Sequence, residues 1–484
     1  MSFPRVPLRT LLREPLRNGK SARTSKNGHG IPVFTLTAVT KGDFSEANTK
    51  ASVLTEKQAD GLWAAPGDIF VQRSNTPELV GTAALYTGRE RFAVFPDLLI
   101  RVRPDERVRP RFLAYFLKAD EARYYFRGKA RGMAGSMPKI GQETIAALDV
   151  PVPPLDVQDA VVEAVETQFS RLDAAVASLT RAKANARRAR ASVLKAAVEG
   201  RLVPTEAELA RAEGRDYEPA PALLARILAE RRDRHEAEQE GAKRRKKYKE
   251  PLEPDPDGLP ELPEGWCWAS VDGLTSLVTS GSRGWARYYA DSGALFVRSQ
   301  DINTHRLDLS SVVRVELPRH VEGARTRLSR GDVLVIITGA NVTITAWVSQ
   351  AIEEAYVNQH VALCRPVEEA TSPYVHLWLR AGDSGGSPLR TAAYGAGKPG
   401  LNLTNIREVA LGLPPLAEQH RIVAEVDRQL SVLDALDATI DTNLARCAAL
   451  RQSILKLAFE GRLPGAIRTP GPGPEAPRAS EGAS

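Results

Sequence analysis

The sequence has few groups placed for catalysis. Gly395-Ala396-Gly397-Lys398 pairs glycines with a lysine as a phosphate-cradling loop would, but Pro399 stands where Ser or Thr should bind magnesium, and the full spacing is missing. Adenine methyl transfer needs an Asn/Asp-Pro-Pro-aromatic loop and a glycine-rich cofactor turn. Neither is present, and both Pro-Pro pairs, Pro153-Pro154 and Pro414-Pro415, are followed by leucine. The seven histidines are spread out with no His-x-x-x-His pair, and Cys267, Cys364 and Cys447 lack metal-type spacing. No clean Asp…Glu-x-Lys nuclease set occurs. The chain is therefore expected to carry no catalytic residue, no metal and no cofactor of its own.

The elements that would position any site are stated twice. The segment from Pro153 to Leu202 aligns without a gap with that from Pro414 to Leu463, about 260 residues later, which marks a tandem repeat of a large unit. Val162, Val165, Phe169, Leu172, Val176, Leu179, Ala186, Val193 and Ala197 follow heptad steps. Val423, Val426, Leu430, Leu433, Ile440, Leu444, Cys447, Ile454 and Ala458 keep the same register. Proline pairs precede each helix, and Gly200 and Gly461 are read as C-cap glycines. Each helix should span roughly 45 residues, about 65 Å. Lys183, Arg190, Asp437 and Arg451 interrupt the seam, as polar residues that fix register do. Each helix can hide its stripe against the other, either as a mere spacer or as a strut of defined length holding two domains apart.

Each helix follows one domain's worth of chain. Gly30–Phe34 parallels Gly293–Val297, Gly67–Val71 parallels Gly331–Val335, and Gly135–Lys139 parallels Ala396–Gly400. The short β-branched runs read as strands, and Phe112–Leu117 and Tyr374–Leu379 as helices with core aromatics. The expected fold is α+β: two similar domains with twisted, mostly antiparallel sheets, separated by an antiparallel coiled coil of two long helices. The expected boundaries are 1–150 and 264–411 for the domains, 151–202 and 412–463 for the helices, 203–263 for a charged helical and Pro-rich linker, and 464–484 for a disordered tail. Gln72–Thr76 after the first Gly-Asp strand has no match in Ile337–Asn341 after the second. A kept scaffold with unlike polar loops suits two recognition surfaces for different targets better than a duplicated catalyst.

The formal net charge of +7 and a pI near 9.2 make an anionic partner plausible. Neither a signal-peptide stretch nor a membrane-length apolar run is found, and the unpaired thiols suit a reducing cytoplasm. If the helices pair antiparallel, a pseudo-two-fold axis relates the domains, as in a homodimer on a palindromic DNA site. Because the halves differ, the matching site would be split and asymmetric.

Three features carry a family resemblance. They are the Pro-Pro-Leu-x-x-Gln starts at Pro153 and Pro414, the Ser-Val/Ile-Leu-Lys…Glu-Gly-Arg-Leu ends at Ser192–Leu202 and Ser453–Leu463, and Leu262-Pro263-Glu264-Gly265-Trp266 opening the second unit. Together they resemble the specificity (S) subunit of a type I restriction-modification system, over nearly the whole chain. The resemblance implies two target-recognition domains that each read half of a bipartite site in double-stranded DNA. It implies conserved helices that act as a ruler for the spacer and dock methyltransferase (M) subunits, two being expected, with restriction (R) subunits as further partners. S-adenosylmethionine would be bound by the M partner. The first unit departs from the pattern: it lacks the Leu-Pro-x-Gly-Trp opening and starts with the arginine-rich Arg5–Lys26, which leaves its N-terminal edge open.

Base-edge readout calls for Arg or Lys to guanine and Asn or Gln to adenine, while phosphate contacts set position and salt dependence. The DNA-binding candidates in unit one are Lys20, Arg23, Lys26, Arg73, Ser74, Asn75, Arg131, Ser136 and Lys139. In unit two they are Ser280, Ser282, Arg283, Arg298, Gln300, Thr338, Asn341, Lys398 and Asn402. Trp285, Tyr288 and Tyr289 beside Arg283 are set against a core role for two of the three, and the basic run Lys243–Lys247 against a solvated helix end. The competing reading is a non-enzymatic coiled-coil adaptor that bridges proteins and meets nucleic acid only incidentally.

Overall fold

The heptad pattern resolves into two helices of equal length, Leu155–Val198 and Leu416–Phe459, each of 44 residues. The structure is a computed structural model and describes residues 3–465 apart from 133–136, 241–246, 256, 319–320, 322, 382–387 and 394–399. The chain divides into two compact units. Unit 1 comprises residues 1–181 and 440–484, and unit 2 residues 182–439. Each unit therefore holds the first half of one long helix and the second half of the other.

Within each unit those halves pack antiparallel. In unit 1, Val161 and Val165 share a core with Leu455, Ala458 and Phe459. In unit 2, Leu194 and Ala197 share one with Ile422, Val426 and Leu430. Three of the four polar interruptions of the seam, Arg190, Asp437 and Arg451, pair across it. Arg190 meets Asp434 at 2.7 Å and Asp437 at 3.4 Å. Arg451 bonds Asp173 and lies 4.8 Å from the centre of the Phe169 ring. Val161, Leu194, Ile422 and Leu455 are buried although they lie off the seam, because they turn toward the globular core of their own unit.

The helix ends repeat in detail. Gly200 and Gly461 adopt φ of 66° and 69°. Arg201 N donates to Ala196 O at 2.9 Å and Arg462 N to Leu457 O at 2.8 Å. These are the six-to-one bonds of a Schellman cap, which needs a left-handed residue and so favours glycine. At the starts, buried Gln158 donates to Pro153 O and buried Gln419 to Pro414 O, each at 2.8 Å. That bond gives the glutamine of Pro-Pro-Leu-x-x-Gln its role, since it satisfies a carbonyl at the proline that starts the helix.

Unit 1 contains strands β1 (Arg5–Pro7), β2 (Arg17–Asn18), β3 (Ile31–Phe34), β4 (Thr49–Ser52), β5 (Ile69–Gln72), β6 (Ala83–Leu85), β7 (Leu99–Val102) and β8 (Asp149–Pro151). Its main sheet is antiparallel in the order β2-β7-β5-β6, with β1-β8 and β3-β4 as separate pairs. Unit 2 contains β9 (Cys267–Ser270), β10 (Thr275–Ser280), β11 (Tyr289–Ala290), β12 (Ala294–Val297), β13 (Ile302–Asn303), β14 (Arg306–Leu307), β15 (Val313–Val315), β16 (Val333–Ile336), β17 (Thr345–Trp347), β18 (Ala355–Val357), β19 (Val361–Pro366) and β20 (Ala410–Leu413). Its main sheet runs β10-β19-β16-β17, and β9 pairs with β20. The two main sheets share one connectivity. A second sheet, β11-β15-β12-β18, includes the parallel pair β12·β18, matched in unit 1 by a parallel bridge between Val33 and Val94.

A buried ion pair braces each main sheet. Asp68 and Asp332, at the heads of β5 and β16, are almost fully buried. Arg103 donates to Asp68 through Nε (2.5 Å) and Nη2 (3.0 Å), and Arg365 to Asp332 through the same atoms (2.7 and 2.8 Å). Each carboxylate also accepts from the amide three residues before it, Ala65 or Ser329. Helices Pro110–Lys118 and Ser372–Ala381 close the cores with Phe112, Phe116 and Tyr374, all fully buried.

The segment read as a charged linker does more than connect. Helix Ala220–Gln239 buries Ala220, Leu223 and Ile227 in the unit 2 core. A shorter helix, Glu206–Glu213, is tied down by Glu206, which binds Arg215 and Arg421 at 2.6 Å each. Buried Glu418 accepts from the Glu206 amide (2.8 Å) and the Trp266 indole (2.9 Å), and burial pushes its carboxyl above the usual range. The apolar side of Ala220–Gln239 occupies only its first turns, so the charge-dense remainder hides it from a composition-based reading. Lys247 is exposed, while Lys243–Lys246 and the tail from residue 466 lie outside the described residues. Among the described residues no helix is long and apolar enough to cross a membrane.

Candidate nucleic-acid interface

Strand direction gathers most of the candidate residues at one end of each main sheet. In unit 1, β5 leaves the sheet at Gln72, where β7 begins, and β2 leaves beside it. Lys20, Arg73, Ser74 and Asn75 follow these exits. Lys139 bridges Ser74, and Arg131 bridges Lys139. Lys20, Arg131 and Lys139 are exposed and Arg73 is half-buried. None of the four has an ion-pair partner among the described residues, whereas Arg101, Arg103, Arg109 and Arg111 of the same unit are all paired. Unneutralised cations grouped at one edge are what phosphate binding requires. Arg23 and Lys26 lie apart, on the exposed stretch where Arg23 and Thr24 meet the end of β4.

Two unit 1 candidates have internal roles. Ser74 is 1% exposed and its hydroxyl has no described partner, so it is not a surface contact. Its backbone forms the bridge to Lys139 while its side chain is buried. Asn75 donates to buried Gln72 and accepts from Thr76 N, each at 2.8 Å, which fixes the loop. Ser136 and Lys398 lie outside the described residues.

In unit 2 the corresponding end holds Ser280, Ser282, Arg283, Thr338 and Asn341. Asn402 joins them, because Leu401 N donates to Ile337 O. Arg283, Thr338, Asn341 and Asn402 are exposed. Asn402 caps helix Leu403–Arg407 through a reciprocal pair with Asn405. Ser282 Oγ lies 3.2 Å from Thr326 Oγ1. Arg298 is held by Asp301 on both carboxylate oxygens, each at 3.1 Å, which leaves it a local brace, while neighbouring Gln300 is exposed. Trp285 is buried, Tyr288 packs beside it and Tyr289 is 45% exposed.

The backbone frame at this end is common to both units. Arg73 N donates to Leu98 O and Ile337 N to His360 O; Ile140 N donates to Arg73 O and Leu401 N to Ile337 O. Lys20 N donates to Phe95 O and Ser282 N to Val357 O. The frame depends on one glycine in each unit, Gly19 and Gly281. A Cβ at Gly19 would lie 2.1 Å from Phe95 O, and one at Gly281 2.1 Å from both Val357 O and Asn358 O. Because the obstacle is backbone, Gly281→Ala is expected to cost about 1–3 kcal/mol of stability, as overpacking does, read as a lowered thermal midpoint. An unchanged midpoint would show that the turn yields freely. Sequence inspection passed over both glycines, although each stands in a turn dipeptide, Asn18-Gly19 and Ser280-Gly281.

No family model matches the chain. The type I restriction enzyme EcoBI specificity subunit of Escherichia coli is 23% identical over 460 residues, covering 94% of this chain and 84% of that protein. Along nearly its whole length the chain is similar to type I restriction enzyme specificity subunits. Solved structures of this family share its fold. A chain from the structural basis underlying complex assembly and conformational transition of the type I R-M system matches with a TM-score of 0.63 at 18% identity, over 96% of this chain and 98% of that one. The HsdS subunit from Thermoanaerobacter tengcongensis matches with a TM-score of 0.50 at 18% identity, over 96% and 97%. The doubled helix motifs that first pointed to type I specificity subunits are thus the helices that both units share.

Proposed function

We propose that this chain reads a bipartite, asymmetric sequence in double-stranded DNA, one half-site per unit, and presents it to methyltransferase subunits. The observation that carries this reading is the common backbone frame whose side chains differ between the units at the cation-bearing end of each main sheet. Fold-equivalent surfaces with unlike polar groups suit a split site with unlike halves. Two methyltransferase subunits dock on the long helices, where Val432, Leu436 and Leu450 remain 61%, 42% and 50% exposed. Restriction subunits join the same assembly in the cytoplasm. The chain performs no chemistry: the methyltransferase subunit binds S-adenosylmethionine and extrudes its adenine into its own pocket.

The test is binding by the full chain with its methyltransferase subunits to a pool of duplexes with randomised half-sites and spacers, at fixed salt. One bipartite sequence should be enriched. Inserting a heptad into each long helix should change the preferred spacer and leave the half-sites alone. Equal binding to every duplex would refute the reading and favour an adaptor. A spacer that stays put would refute the role of the helices in setting it.

A further inference from the structure

The common frame encloses a three-residue turn that the sequence reading did not single out. It is Pro96-Asp97-Leu98 before β7 and Asn358-Gln359-His360 before β19. In both units the turn is closed by the same bond, Leu99 N to Pro96 O (3.0 Å) and Val361 N to Asn358 O (3.1 Å). Each turn also accepts from the strand exit beside it, Arg73 N to Leu98 O and Ile337 N to His360 O. Equivalent backbone bonds give the middle residues, Asp97 and Gln359, equivalent starting points for their side chains. The frame is kept while the residues are exchanged, so identity here is not dictated by the fold.

Asp97 stands in the cation-bearing end of unit 1 yet has no ion-pair partner among the described residues. Its Oδ1 accepts from Ser21 Oγ at 3.0 Å. A carboxylate repels phosphate, so on DNA it can only accept from a donor, and the exocyclic amino groups of cytosine and adenine are the donors in the major groove. In unit 2, both ring nitrogens of His360 are engaged. Nδ1 lies 2.5 Å from Thr338 Oγ1 and Nε2 lies 3.1 Å from Gln359 Nε2, while His360 N donates to Asn358 Oδ1 at 3.0 Å. His360 thus orients Gln359, whose amide can pair with an adenine edge.

Resting on the proposed DNA-reading function, we infer that this turn is a specificity-determining element in each unit, with Asp97 and Gln359 contacting base edges and His360 positioning Gln359. The experiment uses the full chain with its methyltransferase subunits and the same randomised duplex pool, comparing wild type with Asp97→Asn and Gln359→Ala. Asp97→Asn keeps an acceptor for Ser21, so a merely structural role is preserved. Each variant should change base preference at one or two adjacent positions of a single half-site by about tenfold, the scale of one base-edge contact, with Asp97→Asn and Gln359→Ala affecting different half-sites. Wild-type selectivity retained at every position by both variants overturns the assignment alone. So does a change in affinity uniform across sequences. A wild type that binds all duplexes alike overturns the proposed function and this assignment with it. Because the variants lie in different units, a folding failure in one leaves the other to decide.

Discussion

Replacing Asp332 with alanine is expected to destabilise unit 2 by about 3 kcal/mol, the lower end of the range for breaking a buried ion pair. The carboxylate is fully buried, accepts from Ser329 N at 2.6 Å and takes both donors of Arg365. It holds the Arg365 guanidinium above its ordinary pKa. Removing it strands a guanidinium and leaves an amide without its acceptor. The loss stays at the lower end because Arg365 is 31% exposed and can recover some hydration. The matched Asp68→Ala should cost less, although Asp68 is equally buried, because Arg103 also binds Glu14 at 3.2 Å and keeps that partner. Hydrogen exchange of the β16 and β19 amides, against those of β5 and β7, reads the two units separately. Equal protection in wild type and Asp332→Ala would show that the pair braces nothing.

That contrast shows what could be read from the residues and what could not. The helices were legible because period, proline start and glycine end all agree, and each signal is local. The Gly-Asp strands were legible as a repeat. Their arginine partners were not, because Arg103 and Arg365 lie 35 and 33 positions downstream and only strand pairing brings them back. Ser74 looked like a surface loop residue because polarity was the sole guide, yet it is buried where its backbone bridges Lys139. Asn75 and Arg298 looked free for the same reason, and each is engaged by a neighbour three residues away. The turn Asn358–His360 and its counterpart carry no motif. Their equivalence lies in backbone bonds alone, which no residue type announces.

The cations at the unit 1 sheet end should dominate the salt response. Changing Lys20, Arg73, Arg131 and Lys139 together to glutamine removes four charges that form no ion pair among the described residues, so the fold should tolerate it within about 0.5 kcal/mol per site. If each neutralises one phosphate, the slope of log K against log salt should fall in magnitude by about 3.6, at 0.9 per contact. Near 0.15 M salt that amounts to roughly a thousandfold weaker binding, shared alike by cognate and unrelated sequences, because phosphate contacts position the protein and do not specify sequence. The unit 2 half-site should keep its base preference, since Arg283 and the Asn358–His360 turn are untouched. The measurement is a salt titration of binding for wild type and quadruple variant on cognate and scrambled duplexes. An unchanged slope would place the phosphate contacts elsewhere, whereas a loss confined to the cognate duplex would make these residues base readers. The two outcomes separate attraction from recognition, the two roles proposed for side chains on one sheet end: phosphate contact for the cations of the strand exits, and base contact for Asp97 of the neighbouring turn.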